Sequence, residues 1–379
     1  MPVDIAVIRQ SWNVVAPVAD RIGVHFYAKL FADHPQLREM FPPAMNAQRD
    51  RLLHALTQVV LNLEDGPGLT EYLGQLARDH RKYGVLPEHY PAVGRCLVHA
   101  MRAEVGPAWR AVYDAAWIDA YRFVADVMVH AAEQEAAHTP AVWPAVVVGH
   151  EMRGRELVVV TVEPRERYPY RAGQYATLQT PVWPKVWRQY SIANAPRPDN
   201  RLTFHVRVVP GGWVSTALAH HTRPGDTVLL GPPRGAMLLD RASTRHLVFI
   251  AGGTGLAPLK AMVEESMWLP ERPNIDLFHG VRRHTDAYDL PDLMALRSAH
   301  RRLRVVKAVS DDPADPRRER VIDAVQNHRV TLDGDVYVCG SPDMVRVTVG
   351  QLRGLGVPPR MIHTEYDPGG AAAPLVHTA

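Results

Sequence analysis

The chain is short of cysteine: Cys96 and Cys339 are the only two in 379 residues, and they stand far apart. That argues against a disulfide framework, and sparse thiols fit a reducing, intracellular setting. An excess of charge of one sign is also lacking. Lys and Arg number 43 against 40 Asp and Glu, and a formal charge of +3 gives no electrostatic footprint for nucleic acid. No apolar run is long enough to span a bilayer, and Asp4 and Arg9 interrupt any signal-peptide core near the start. Hydrophobic residues, at 46%, are not scarce, which excludes disorder for the chain as a whole. A cytoplasmic, monomeric protein of two or three domains is expected, because the length exceeds one comfortable core.

The texture changes twice along the chain. Up to about residue 138 apolar residues recur at helical spacing: Ile5, Ile8, Trp12 and Val15; Leu69, Leu73, Leu76 and His80; Trp109, Val112, Ala116, Ala120, Phe123 and Val127. The segment His138–Pro144, with two prolines, reads as a linker. Six short strand-like runs follow, near 145–150, 156–162, 174–180, 188–194, 201–209 and 226–231, which predicts a small antiparallel barrel. From about residue 244 strand-like and helical segments alternate, the signature of βαβ units on a parallel sheet. The expected architecture is an all-α domain over 1–138, an antiparallel β-barrel over 139–240, an α/β nucleotide-binding domain over 241–366 and a disordered tail over 367–379.

Chemistry enters with Gly252-Gly253-Thr254-Gly255-Leu-Ala-Pro258, which follows the apolar run His246–Ala251 directly. Glycines between a buried strand and a helix let backbone N–H groups approach a pyrophosphate, and the helix N-terminus adds partial positive charge. A tight turn without a ligand has the same residues. Pro258 stands where the NAD fingerprint has its third glycine, and it suits a first helical turn. The next strand ends in Arg282-Arg283 instead of the carboxylate that would bind ribose hydroxyls, so NADH and NADPH both stay open. Cys339-Gly340 closes another strand at the edge where such sheets bind ligands, so its thiol would lie near a nicotinamide unless it is simply a small buried residue. In Arg188-Gln189-Tyr190-Ser191 a cation, an aromatic ring and a hydroxyl fall on one strand. They suit a flavin nucleotide, and equally an ordinary half-exposed strand.

Four motifs then appear in order: Arg-x-Tyr-Ser, Gly211-Gly212-Trp213-Val214-Ser215, Gly-Gly-Thr-Gly-Leu-Ala-Pro and Cys339-Gly-Ser-Pro-Asp-Met344. Over about residues 143–366 the chain resembles the ferredoxin–NADP reductase superfamily. The resemblance implies FAD on the barrel, held by Tyr175, Arg188, Gln189, Tyr190 and Ser191 and by the turn at Gly212, Val214 and Ser215. It implies the nicotinamide nucleotide on the sheet, at Gly252, Gly253, Thr254, Gly255, Pro258, Arg282, Cys339 and Gly340. It also implies an aromatic residue against the flavin near the chain end. There Tyr366 is followed by Asp367, which falls where Phe is expected.

In the helical region His80 shares a face with Leu69, Leu73 and Leu76. A lone histidine there is usually a satisfied core residue, and the sharper alternative is an axial haem ligand. The run His25-Phe-Tyr27-x-x-Leu-Phe31, then Phe41, Gln48-x-x-x-Leu52, and His80 followed by Pro87-Glu-His-Tyr90 resemble, in order, the globin module of bacterial flavohaemoglobins over about residues 3–135. That resemblance implies haem b with His80 on the iron and Phe41 wedged on the haem. Tyr27, Gln48 and Leu52 would shape the distal pocket, and Tyr90 would belong to a proximal hydrogen-bond relay. Two departures stand out: Asp79 replaces the usual Lys before the histidine, and the relay glutamate falls on Ala132, with Glu133 the nearest carboxylate. The implied activity is nitric oxide dioxygenation, with NAD(P)H feeding FAD and FAD feeding haem. The departures keep open another redox activity, such as peroxide reduction or D-lactate oxidation at the flavin. A non-catalytic haem-based oxygen or nitric oxide sensor would leave the reductase motifs without a role.

Overall fold

The computed structural model describes residues 4–365, which fall into two compact units divided between residues 141 and 142. The expected tail and Tyr366 lie outside the described residues.

The first unit is helical: α1 (Ile5–Val15), α2 (Ala19–Asp33), α3 (Asn46–Leu61), α4 (Gly66–His80), α5 (Tyr90–Val105) and α6 (Ala111–Ala136). Side-chain caps set two of the starts. Asp4 accepts the Val7 N–H at 3.0 Å, and Asp65 accepts the Gly68 N–H at 3.1 Å with Pro67 in the first turn. The core gathers Ile8, Ile22, Phe26, Leu30, Leu97, Met101 and Trp117. Its buried polar atoms are paired: Trp117 Nε1 donates to Ser11 Oγ at 2.9 Å, and that hydroxyl donates to the Ile8 carbonyl. A smaller cluster joins α4 to α6 through Leu69, Leu73, Ala77 and Met128.

The second unit opens with β1 (Trp143–Met152), β2 (Leu157–Pro164), β3 (Tyr175–Gln179), β4 (Arg188–Ser191) and β5 (Leu202–Arg207), then α7 (Trp213–His220) and β6 (Thr227–Leu230). The strands form one antiparallel sheet in the order β4-β3-β6-β1-β2-β5. A bridge between Ile192 and Phe204 brings its two edges together, so the expected barrel is nearly closed. Val158, Val160, Val162, Leu202, Phe204 and Val206 fill it. Two readings change. Pro144 lies inside β1 and not in the linker; its carbonyl accepts from Arg165, while its missing N–H costs the ladder little at a strand start. The Gly211–Ser215 turn also leads into α7, which strand-like texture on either side conceals.

Next come β7 (Leu247–Gly252), α8 (Leu256–Ser266), β8 (Ile275–Val281), α9 (Leu290–Ala299), β9 (Leu303–Val309), α10 (Val321–Asn327), β10 (Asp335–Cys339), α11 (Pro342–Gly354) and β11 (Ile362–Thr364). The sheet is parallel, in the order β11-β10-β7-β8-β9. The order reverses between β7 and β10, and the loops leaving these two strands open the crevice where such sheets take a ligand. Among the described residues no helix is long and apolar enough to cross a membrane.

Candidate functional site

His80 is the last residue of α4. Its Nδ1 lies 2.7 Å from the Leu76 carbonyl. A carbonyl only accepts, so Nδ1 carries the proton and Nε2 keeps its lone pair, with no partner among the described residues. Burial pushes the pKa below the usual histidine value, which keeps the ring neutral. The ring nonetheless retains accessible surface, as do Phe31, Phe41, Gln48, Leu52 and Leu56. A neutral imidazole nitrogen with no partner among the described residues is a donor that fits haem iron.

In the same helical unit the structure brings Tyr27, Phe41 and Gln48 together. Tyr27 is buried on α2, and its ring meets Phe41 edge-on at 5.5 Å. Burial raises its pKa, so the hydroxyl stays protonated. Its best protein acceptor is the Gln48 carbonyl at 3.4 Å, a long contact that leaves the proton available to a better one. Leu52 stands one turn beyond Gln48 on α3 and packs on the same core.

The proximal relay expected from the sequence is not assembled. Glu133 is exposed, because one position along a helix turns the side chain by about 100°. Ala132 holds the inward place, packed against the α4–α6 cluster that Leu76 and Tyr90 also join. Glu135 is taken by Arg81 at 2.8 Å, and Asp79 lies 3.7 Å from Lys82. Tyr90 is partly buried, and burial pushes its pKa up to about 12; the aromatic ring in contact with His80 is that of Tyr83, at 6.4 Å.

In the barrel β4 leaves Arg188, Gln189, Tyr190 and Ser191 all part-exposed, beside β3. Gln189 donates to Tyr175 Oη at 3.3 Å across that pair. Tyr190 packs against the barrel core, and burial raises its pKa. The turn before α7 is tight. A Cβ on Gly212 would lie 2.6 Å from Ser215 Oγ, and that hydroxyl accepts the Val209 N–H at 3.1 Å. Ser215 therefore closes the turn, and Val214 is barrel core; neither side chain is free to reach a ligand. What the turn offers is backbone at the start of a helix, beside a strand carrying a cation, an aromatic ring and a hydroxyl, which fits an FAD pyrophosphate and ring.

At the sheet, Gly253 adopts φ +54°, and Thr254 stands beside it partly exposed. A Cβ on Gly255 would lie 2.3 Å from the Cys339 carbonyl oxygen, and one on Gly340 would lie 3.3 Å from the Gly252 backbone. The glycines at the ends of β7 and β10 thus allow the two loops to touch. Pro258 is buried in the first turn of α8. Cys339 is buried, its thiol donates to Glu365 Oε2 at 3.6 Å, and burial raises its pKa, so it is a neutral thiol. Arg282 is exposed just past β8, with no partner for its side chain among the described residues.

Sequence reasoning missed a buried polar chain between barrel and sheet. His205 on β5 meets Tyr288 Oη through Nδ1 at 2.9 Å, and His279 on β8 reaches the Gly253 carbonyl through Nε2 at 3.0 Å. Beside them Asp289 pairs with Lys260 at 2.7 Å and with Arg153, while Asp292 lies 3.1 Å from Lys260. These residues come from separate strands and helices, and no local spacing marks them.

Three family models match the chain in turn: a globin over residues 24–128, an oxidoreductase FAD-binding domain over 147–238 and an oxidoreductase NAD-binding domain over 249–350. The flavohemoprotein of Bacillus subtilis is 26% identical over 385 residues, covering 95% of this chain and 96% of that one. The ferredoxin–NAD(P)(+) reductase component of the Pseudomonas putida naphthalene 1,2-dioxygenase system is 31% identical and covers 64% of this chain and 75% of its own. A flavohemoglobin from Malassezia yamatoensis, solved with FAD and heme, shares the fold with a TM-score of 0.75 at 19% identity, covering 95% of this chain and 97% of that one.

Proposed function

Because the chain belongs to the flavohaemoglobin family, an oxidoreductase with a globin and an FAD- and NAD-binding reductase in one polypeptide, we propose that it is an NAD(P)H-dependent nitric oxide dioxygenase of the cytoplasm, acting as a monomer. The observation that carries the reading is the pairing of a partnerless imidazole nitrogen on His80 with a protonated, weakly engaged hydroxyl on Tyr27. When bound, FAD would supply the conversion of a two-electron hydride donor into one-electron steps, and haem would supply the iron at which oxygen and nitric oxide combine to nitrate.

The chain's own residues do the rest. His80 would hold haem iron through Nε2, with the Leu76 carbonyl fixing its tautomer. Phe41 would pack on the haem, and Tyr27 and Gln48 would offer hydrogen-bond donors to an oxygen ligand. Arg188, Tyr190 and Ser191 with the backbone at Gly212 hold the flavin. Gly252, Gly253 and Gly255 admit the nucleotide phosphates, and Arg282 stands where a 2′-phosphate would be read.

Nitrate yield from purified holoprotein with NADH or NADPH, oxygen and nitric oxide tests this directly. Stoichiometric nitrate with nucleotide oxidation is expected; nucleotide oxidation without nitrate would reject it. One observation favours a second reading, a redox activity centred on the flavin such as D-lactate oxidation, or peroxide reduction. His80 has a carbonyl and no carboxylate behind it, which weakens the push that oxygen activation draws on. Flavin bleaching by D-lactate without nucleotide would select that reading.

A further inference from the structure

The strands β7, β8 and β9 run parallel and in register, with Leu247 beside Ile275 and Ile275 beside Leu303. Their carboxyl ends lead into the glycine turn and the loops around it. Their amino ends lie about 20 Å away, since β7 is six residues long at roughly 3.3 Å each. At that far edge the first residues of three strands come together as neighbours. His246, Asp276, Arg301, Arg302, Arg304 and Asp333 line a concave hollow of about 550 Å³ there. A flat solvated surface has no floor, whereas here the buried starts of β8 and β9, Ile275 and Leu303, line the hollow. None of these residues belongs to the haem, flavin or nucleotide positions.

The charges in the hollow do not cancel. His246 Nε2 lies 3.0 Å from Asp276 Oδ2, and its Nδ1 lies 3.2 Å from the Thr331 carbonyl. Carboxylate and carbonyl oxygens only accept, so both ring nitrogens donate and the ring is an imidazolium. The hydrogen bond to Asp276 raises the His246 pKa, in the same direction. Arg304 Nε donates to the other oxygen of Asp276 at 2.5 Å. One carboxylate thus serves two cations. Arg302 donates to the Arg272 carbonyl at 2.6 Å, which orders the guanidinium and leaves its charge uncompensated. Arg301 is exposed, with no hydrogen bond or ion pair among the described residues. Four cationic side chains therefore face two carboxylates, Asp276 and the exposed Asp333.

We propose that this hollow at the amino edge of the parallel sheet is a second anion site, which takes a small compound carrying two or more phosphate groups. Arg301 and Arg302 offer paired N–H donors that match phosphate oxygens. His246 and Arg304, braced on Asp276, form a wall with surplus positive charge. Asp333 opposes the anion and limits its affinity. A hollow of about 550 Å³ has the size of a small-molecule site and is too small for a folded partner.

The test is calorimetric titration of the holoprotein with inorganic pyrophosphate, with Arg301→Ala and Asp333→Asn as the reporting variants. Both side chains are exposed and stand apart from the haem, flavin and nucleotide positions, so cofactor content and NAD(P)H oxidation should not move. Arg301→Ala is expected to weaken pyrophosphate about tenfold, the loss of one charge-assisted contact. Asp333→Asn is expected to tighten it by about threefold, a gain that damage to the fold would not produce. Higher salt should weaken binding to the wild type. Pyrophosphate held at the glycine turn or in the flavin site gives an isotherm that neither variant changes, and an isotherm with no variant-sensitive component overturns the site. A wild type that binds no pyrophosphate overturns it as well. Nitrate yield is read separately, so the dioxygenase assignment stands or falls without affecting this result.

Discussion

The Nδ1 proton of His80 ends on the carbonyl of Leu76, one turn earlier on the same helix, at 2.7 Å. A carbonyl leaves the imidazole less anionic than a carboxylate would. Ala132 packs in the same cluster as Leu76 and Tyr90, on the neighbouring helix α6. Ala132→Glu should therefore bring a carboxylate to the Nδ1 side. The expected result is a higher iron–histidine stretching frequency in the ferrous resonance Raman spectrum. The ferric–ferrous potential should fall by on the order of 60 mV, which is a tenfold preference for a one-electron couple. An unchanged stretch would show that the residue does not face the histidine.

His80→Ala removes the nitrogen itself. Haem should be absent from the purified variant, read as loss of the Soret band, while flavin absorbance persists because the barrel belongs to a separate compact unit. A variant with full haem occupancy would move the ligand elsewhere.

The candidate positions that spacing can pick out are the local ones. The glycine turn lies between one strand and one helix, Arg188 to Ser191 share one strand, and His80 falls on a helical apolar face. Spacing leaves a ligand-free turn, an ordinary strand and a core histidine equally open, so their proposed roles come from the family resemblance. Glu133 misled for a related reason: sequence proximity does not fix which face a helical residue takes, and the inward place went to Ala132. His205, Tyr288, His279 and Lys260 were invisible, since they meet only after barrel and sheet pack together.

Gly255 has the tightest contact in the nucleotide crevice. An added methyl would lie 2.3 Å from the Cys339 carbonyl oxygen and 2.7 Å from the Gly340 nitrogen, both backbone atoms that cannot swing away. Gly255→Ala should force the two loops apart, at a cost of about 1–3 kcal/mol as for other overpacked sites. ADP-ribose binding should be lost with FAD still bound. Retention of both would mean that the loops tolerate separation.

Lys260 is buried on α8 with Asp289 at 2.7 Å and Asp292 at 3.1 Å. Replacing it with Met leaves Asp289, whose side chain is fully buried, without its ammonium. Removing one partner of a buried pair typically costs about 3–5 kcal/mol, whereas replacing both is often near neutral. Lys260→Met should lower the urea midpoint strongly, and Lys260→Met with Asp289→Leu should recover part of it. Arg153 also contacts Asp289, so recovery stays incomplete. A double variant as weak as the single one would show that the pair is not the source of the loss.

Acid acts on the buried histidines between barrel and sheet. Burial pushes His279 down from 6.5 to about 4. Between those values the unfolded chain binds a proton that the folded chain refuses, so the group's contribution falls as pH drops from about 6.5 towards 4. At about 1.4 kcal/mol per unit the loss approaches 3 kcal/mol. His205, also lowered by burial, acts in the same direction, while Asp289, pushed up to about 6 by burial, acts in the opposite one. The total profile therefore does not isolate His279, but a difference does. His279→Gln keeps an N–H donor for the Gly253 carbonyl and cannot titrate. Denaturant melts followed by flavin fluorescence should show wild type losing about 3 kcal/mol relative to His279→Gln between pH 6.5 and 4. Parallel curves across that window would place the ring in water and break its hydrogen bond to the Gly253 carbonyl.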